Sequence, residues 1–217
     1  MPLLNKGCYI KCDDRLYEVE TTYQLKYYIS SALISIDCIQ EPVEAMVHRF
    51  PNEIQYYRYY VDNMFYFLGL INDRFVYKNA KNDNALSQEK RERVNLNVEN
   101  YQFSKTEFKI LSKKMPRNII EHLDERNVKT LMDCHGVGGF NVIFENSDPD
   151  MISAIKTKKE LYPYNLDLVN KRVLFYDIQA SQDKDKPIEV DILKLRDELR
   201  RLEQNVDDFA VFLNGAL

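Results

Sequence analysis

The sequence predicts a mainly α protein: an up-and-down helical bundle with a small antiparallel β-sheet and a long C-terminal helix. Three observations predict it. Apolar residues recur at three- and four-residue steps over residues 18–48 and again over residues 54–71. A heptad pattern runs from Ile188 to Leu213. Between them lie short β-rich runs bounded by turn residues. A chain of 217 residues that is 45% hydrophobic and 29% charged can build a real core and is too apolar to be disordered.

Taken in order, the first helix reads over residues 18–48, with Val19, Tyr23, Tyr27, Ala32, Leu33, Ile36 and Ile39 at helical spacing. Pro42 kinks or ends it, because proline lacks the N–H a helix interior needs. Pro51-Asn52-Glu53 opens a second helix. Ile54, Tyr57, Val61, Phe65 and Leu68 form one of its stripes, and Tyr56, Tyr60, Met64, Phe67 and Ile71 form another. Two adjoining apolar stripes predict a central helix whose aromatics are core.

Lys78 to Asp83 reads as a loop, and Gln88 to Glu92 as a charged helix start. A fourth helix is expected from about Ser104 to Arg126. Ser104 and Glu107 have capping-box spacing, and Phe108, Leu111, Met115, Ile119 and Leu123 mark one face. Pro116 should kink that run or restart it. Gly136-Val137-Gly138-Gly139 reads as a plain turn before a strand at residues 140–144. It lacks the Gly-Lys-Ser/Thr of a phosphate loop.

Leu166–Val169 and Arg172–Tyr176 read as a hairpin joined by a two-residue Asn170-Lys171 turn. After the polar stretch Ser181 to Lys186, a seam of Ile188, Ile192, Leu195, Leu199, Leu202, Val206, Phe209 and Leu213 predicts one long helix. A packing helix within one subunit and a dimer zipper fit the seam equally. The organisation expected is a bundle at 1–130 with strands and an amphipathic helix at 131–217, packed on it as one unit.

Charge and cysteine usage narrow the function classes. Lys+Arg 30 against Asp+Glu 34 gives a net charge of −4, so no global positive field gathers nucleic acid. Any RNA role must rest on a local site. No apolar stretch approaches the roughly 20 residues of a membrane span. Met1 to Lys6 has no apolar run, which predicts a cytoplasmic protein without a secretory signal. Cys8 and Cys12 could supply half a zinc site, and Cys134 lies beside His135. No second pair follows at zinc spacing, so reduced thiols, no metal and no cofactor are expected.

The chemistry-bearing constellation is Arg117-Asn118-Ile119-Ile120-Glu121-His122. On a helix Asn118 and His122 share a face, as do Arg117 and Glu121. Lys105, Lys109, Lys113 and Arg117 advance in fours, laying positive charge toward this segment. A fixed cation, a titratable imidazole and an orienting amide suit metal-free RNA cleavage. That reaction needs a base for the ribose 2′-OH, a donor for the leaving oxygen, and a cation on the phosphorane. Histidine titrates near pH 6.5 and serves either proton role, while arginine holds the non-bridging oxygens bidentately. Arg117 and His122 stand roughly 140° apart around one helix. Two copies facing each other would converge on a phosphate far better than one. A structural reading stands beside this one: Arg117 with Glu121 as a surface ion pair, and His122 as a hydrogen-bonded core imidazole. His48, beside Arg49, is a minor candidate.

These residues resemble the HEPN domains, α-helical bundles many of which are endoribonucleases. Their motif is Arg, often followed by a polar residue, then His after four to six positions. Arg117-Asn118 with His122 fits it, and Glu121-His122-Leu123-Asp124-Glu125-Arg126 resembles a string found in some bacterial HEPN-like proteins. The resemblance implies a HEPN-like fold and a toxin or defence endoribonuclease acting as a homodimer. His122 would be acid/base, Arg117 the phosphate ligand and Asn118 the orienting amide, with Glu121, Lys109 and Lys113 in binding roles. It also implies an antitoxin-type protein partner. The alternative is a non-catalytic dimerisation, partner-binding or nucleotide-binding module.

Overall fold

Pro42 decides where the first helix stops. In the computed structural model of the protein, α1 (Asp14–Gln40) ends two residues short of it, and a short α2 (Glu44–Val47) follows. The residue before a proline is pushed out of the helical region, which closes the helix there. The structure describes residues 14–76, 85–113, 140–157, 164–175 and 188–215. The expected loop at Lys78–Asp83 and the stretches Gly136–Gly139 and Ser181–Lys186 lie outside them.

The core face of α1 is Leu25, Ile29, Ala32, Leu33, Ile36 and Ile39, all buried. The sequence places Tyr23 and Tyr27 on that face, and the structure reverses this: they are 72% and 62% exposed. Residues two apart on a helix lie on nearly opposite sides. Only one of the two stripes can be buried, and the aliphatic one is, leaving the tyrosine hydroxyls in water.

α3 (Glu53–Phe75) starts where expected, because the Asn52 side chain accepts the Gln55 N–H at 2.9 Å. Asn52→Ala is expected to cost about 1 kcal/mol, read as a lower midpoint in thermal denaturation; an unchanged midpoint would show the cap to be idle. Tyr56, Tyr57, Tyr60, Val61, Met64, Phe65 and Leu68 are all buried, so this is the central helix. It runs antiparallel to α1. The Tyr56 hydroxyl donates to the Cys38 carbonyl at 2.8 Å at one end, and Arg74 donates to Gln24 at the other. Burial pushes the Tyr56 and Tyr60 hydroxyls up to about 12.

α4 (Ala85–Asn100) closes the end formed by the start of α1 and the end of α3. Asn97, itself buried, donates to the Arg74 carbonyl at 3.0 Å and to Tyr17 Oη at 3.3 Å. The Arg93 guanidinium lies 4.5 Å from the centre of the Tyr17 ring.

The sheet differs from expectation in three ways. It has four strands in the order β1 (Phe140–Ile143), β2 (Tyr164–Asp167), β3 (Arg172–Phe175), β4 (Ile188–Asp191). It is mixed, not antiparallel: β1 pairs parallel with β2, and the other pairs are antiparallel. The cause is α5 (Pro149–Thr157), a crossover that carries the chain back to the end at which β1 began. The hairpin loop is also longer than two residues. Asp167 pairs with Arg172 across residues 168–171, and Lys171 takes a left-handed φ of 52°. Asp167 closes that loop, accepting from Asn170 N at 2.9 Å, Asn170 Nδ2 at 2.8 Å and Arg172 Nε at 3.2 Å.

Ile188 belongs to β4 and not to the heptad helix. α6 (Ile192–Gly215) begins after Asp191, whose Oδ1 accepts the Lys194 N–H at 3.0 Å. Partial burial works against ionisation of Asp191, but the Lys194 N–H and ammonium outweigh it and hold the carboxyl below its usual range. Leu195, Leu199, Leu202 and Val206 are fully buried within the one chain, which settles the seam as an internal packing surface. α6 runs antiparallel to α1, with Arg196 to Asp37 at 3.1 Å and Lys26 to Asp207 at 2.5 Å. α1 thus lies between α3 and α6. The sheet rests on α3 through Phe65 and Phe175, whose ring centres are 4.9 Å apart. The Tyr164 hydroxyl donates to Asp62 at 3.1 Å. One apolar core joins α1, α3, the sheet and α6. Among the described residues no helix is long and apolar enough to cross a membrane.

Candidate functional site

The segment leading into the candidate motif is the best-anchored irregular stretch described. Residues 101–113 form a chain of turns, not the first half of the expected Ser104–Arg126 helix. Tyr101 is buried, with its hydroxyl 2.9 Å from Thr22 Oγ1. Gln102 then takes a left-handed φ of 50°, which turns the chain off α4. Phe103 is sandwiched between Phe75 at 4.3 Å and Phe108 at 4.7 Å, the rings nearly parallel in both pairs. Ser104 does not form the capping box with Glu107. Its hydroxyl accepts the Thr106 N–H at 3.3 Å, and its carbonyl takes the Glu107 and Phe108 N–H groups.

A helix fails here because α6 and α3 claim the backbone groups. Glu198 is 4% exposed, and its carboxylate accepts the Ile110 N–H at 2.9 Å and the Leu111 N–H at 2.9 Å. Asn72, also buried, donates to the Leu111 carbonyl at 2.6 Å and the Lys113 carbonyl at 3.1 Å. Arg201 donates to the Glu107 carbonyl at 3.2 Å, and Asn205 to the Tyr101 carbonyl at 2.9 Å. Four side chains from two helices therefore fix this stretch. Sequence reasoning missed all four. The available signal was a polar residue inside an apolar stripe: Asn72 between Leu68 and Phe75, and Glu198 between Leu195 and Leu202.

Lys109 and Lys113 are exposed on this stretch, as is Lys105. They stand on successive turns and not along one helical stripe. Arg117, Asn118, Glu121 and His122 lie outside the described residues, as do Pro116, Cys8, Cys12, Cys134 and His135. Cys38 is a half-buried free thiol. Among the described residues no group of three metal-ligating side chains occurs. His48 is exposed, with Nε2 3.7 Å from Glu44, a surface contact one helical turn away.

A second polar cluster lies at the sheet. A cleft of about 190 Å³ is walled by Ile143, Ile152, Ile155 and Leu174 and edged by Asp167, Asn170 and Arg172. Both Asp167 oxygens are spent on the hairpin loop, and Arg172 also binds Glu189 at 3.0 Å. These charges hold the turn together. Comparison of the chain with protein-family models, curated proteins and solved structures gives no match.

Proposed function

We propose that the chain is a metal-independent endoribonuclease of HEPN type, a toxin or defence component that acts as a homodimer. The observation that carries the reading is the Arg117-Asn118 and His122 motif, which follows a run of helices in the sequence. Supporting it, the stretch bearing Lys109 and Lys113 is fixed by Glu198 and Asn72 only a few residues upstream. A held approach lowers the entropic cost of presenting a site.

In this reading His122 takes the proton of the ribose 2′-OH, whose oxygen attacks the adjacent phosphorus. The 5′ oxygen leaves with a proton from the second copy's His122, and a 2′,3′-cyclic phosphate results. Arg117 stabilises the charge that grows on the non-bridging oxygens. Asn118 orients the ring or the phosphate, Glu121 steadies Arg117, and Lys109 and Lys113 attract the RNA backbone.

The test is cleavage of mixed cellular RNA in EDTA by wild type, His122→Ala and Arg117→Ala, with helicity checked by circular dichroism. Each folded variant should lose on the order of 100-fold or more in rate. Variants that cut like wild type overturn the assignment. One observation favours the second reading, a non-catalytic docking module: α1 leaves large aromatics in solvent. A wild type that cuts no RNA selects it.

A further inference from the structure

We infer that the outer face of α1 is a docking surface for a second copy of this chain, laid across it antiparallel. The inference does not depend on the nuclease reading, which also calls for a second copy: substitutions at Tyr23 and Tyr27 probe this face alone, and RNA cleavage probes the motif. α1 is the middle helix between α3 and α6, yet its outward face is apolar. Leu16 is 57% exposed, Tyr23 72%, Tyr27 62% and Ile34 59%. With the exposed Glu20 and Ser30 these residues advance in alternating steps of four and three. That is a helix-pairing seam, separate from the seam that α6 buries. From Leu16 to Ile34 it runs about 27 Å at the α-helical rise.

The seam itself argues for the occupant. It is symmetric in sequence about Leu25: Leu16 and Ile34 lie nine places either side, Glu20 and Ser30 five, Tyr23 and Tyr27 two. A two-fold axis through that point pairs each residue with its mirror position, as a self-complementary interface requires. Leu16 then meets Ile34, and Tyr23 meets Tyr27. Glu20, the only charge on the seam, meets Ser30 and not a second carboxylate. Lys26 beside it is neutralised by Asp207 within its own chain. A parallel copy would instead set Glu20 against Glu20.

The area is a large share of what a dimer needs. Tyr27 touches Phe67, which touches Tyr66, so the apolar surface continues onto α3, where Tyr66 is 50% exposed. With about 200 Å² per ring, these tyrosines offer on the order of 350 Å². That is close to half of the ~800 Å² each partner gives a standard interface, before Leu16 and Ile34 are counted. A cleft beside Tyr23, between Val19, Lys26, Ala210 and Leu213, lies where the axis brings the second copy's Tyr27.

Sedimentation velocity at micromolar concentration tests this. Wild type should be a dimer, and Tyr23→Glu/Tyr27→Glu should weaken it at least tenfold with helicity unchanged. Both side chains are mostly in solvent, so the fold should tolerate the substitutions, and the helicity check reads any loss of the Tyr27 contact with Phe67. Mixing Tyr23→Glu chains with Tyr27→Lys chains should restore dimers, since the antiparallel register sets Glu against Lys. A monomeric wild type overturns the proposal, as does a dimer that survives the double substitution. Failure of the mixed chains to pair overturns the antiparallel register.

Discussion

Glu198→Ala is expected to destabilise the protein by about 4 kcal/mol. The carboxylate is buried and accepts two backbone N–H groups, from Ile110 and Leu111. Hydrogen bonds to a charged group are worth about 1.5–3 kcal/mol each, and the truncation leaves the buried Leu111 donor and the half-buried Ile110 donor without a partner. For a chain of this size the thermal midpoint should fall by roughly 8–16 °C. Glu198→Gln keeps an acceptor oxygen in place and should cost less than half as much. Hydrogen exchange supplies the local check, because the Ile110 and Leu111 amides should lose protection ahead of the rest of the core. A loss below about 1 kcal/mol with both amides still protected would mean that the turns hold themselves, without α6.

Phe175→Ala should cost about 3–5 kcal/mol. Phe175 is fully buried and sits edge-on to Phe65 at 4.9 Å, while stacking on Tyr164 at 4.9 Å. With Tyr164, which donates to Asp62, it joins the sheet to the central helix. Its removal leaves a cavity between the two layers, and the four short strands have little area of their own with which to close it. The sheet should therefore lose exchange protection before α1 and α3 do. Simultaneous loss everywhere would show that sheet and bundle unfold as one unit.

How legible these elements were depends on what determines each of them. Pro42, Asn52 and the α6 heptads act locally, through a missing N–H, a side-chain cap and a repeat. Those helices could be read from the residues alone. Tyr23 and Tyr27 could not be placed, because an aromatic stripe and an aliphatic stripe share α1 and only packing decides between them. The turns at 104–113 read as helix for a related reason: Phe108 and Leu111 have helical spacing, but Glu198, 88 positions away, takes the N–H groups that a helix would use. The parallel β1–β2 pair was hidden behind α5, whose nine residues gave too short a pattern to register as a crossover. For the candidate site, Lys109 and Lys113 are exposed as a binding role requires, while Arg117, Asn118, Glu121 and His122 rest on their motif. Nothing in that motif pointed to Asn72 or Glu198.

The clamp on residues 101–113 also fixes an order of events during synthesis. Glu198 follows Ile110 by 88 positions, so at translation rates of ~5–20 residues per second the N–H groups of Ile110 and Leu111 wait roughly 4–18 s for their acceptor. The first helix waits longer still, since Arg15 and its contact at the Leu213 carbonyl stand 198 positions apart. Until α6 emerges, one flank of α1 has no cover, and the lysine-bearing turns are held only by Asn72 and the stack of Phe103 on Phe75 and Phe108. The stretch that leads into the motif is thus shaped by a helix made 88 positions after it. A chain not yet extended through α6 would carry the Arg117 and His122 letters behind only the Asn72 half of that clamp, so any activity they confer would be delayed until α6 has docked.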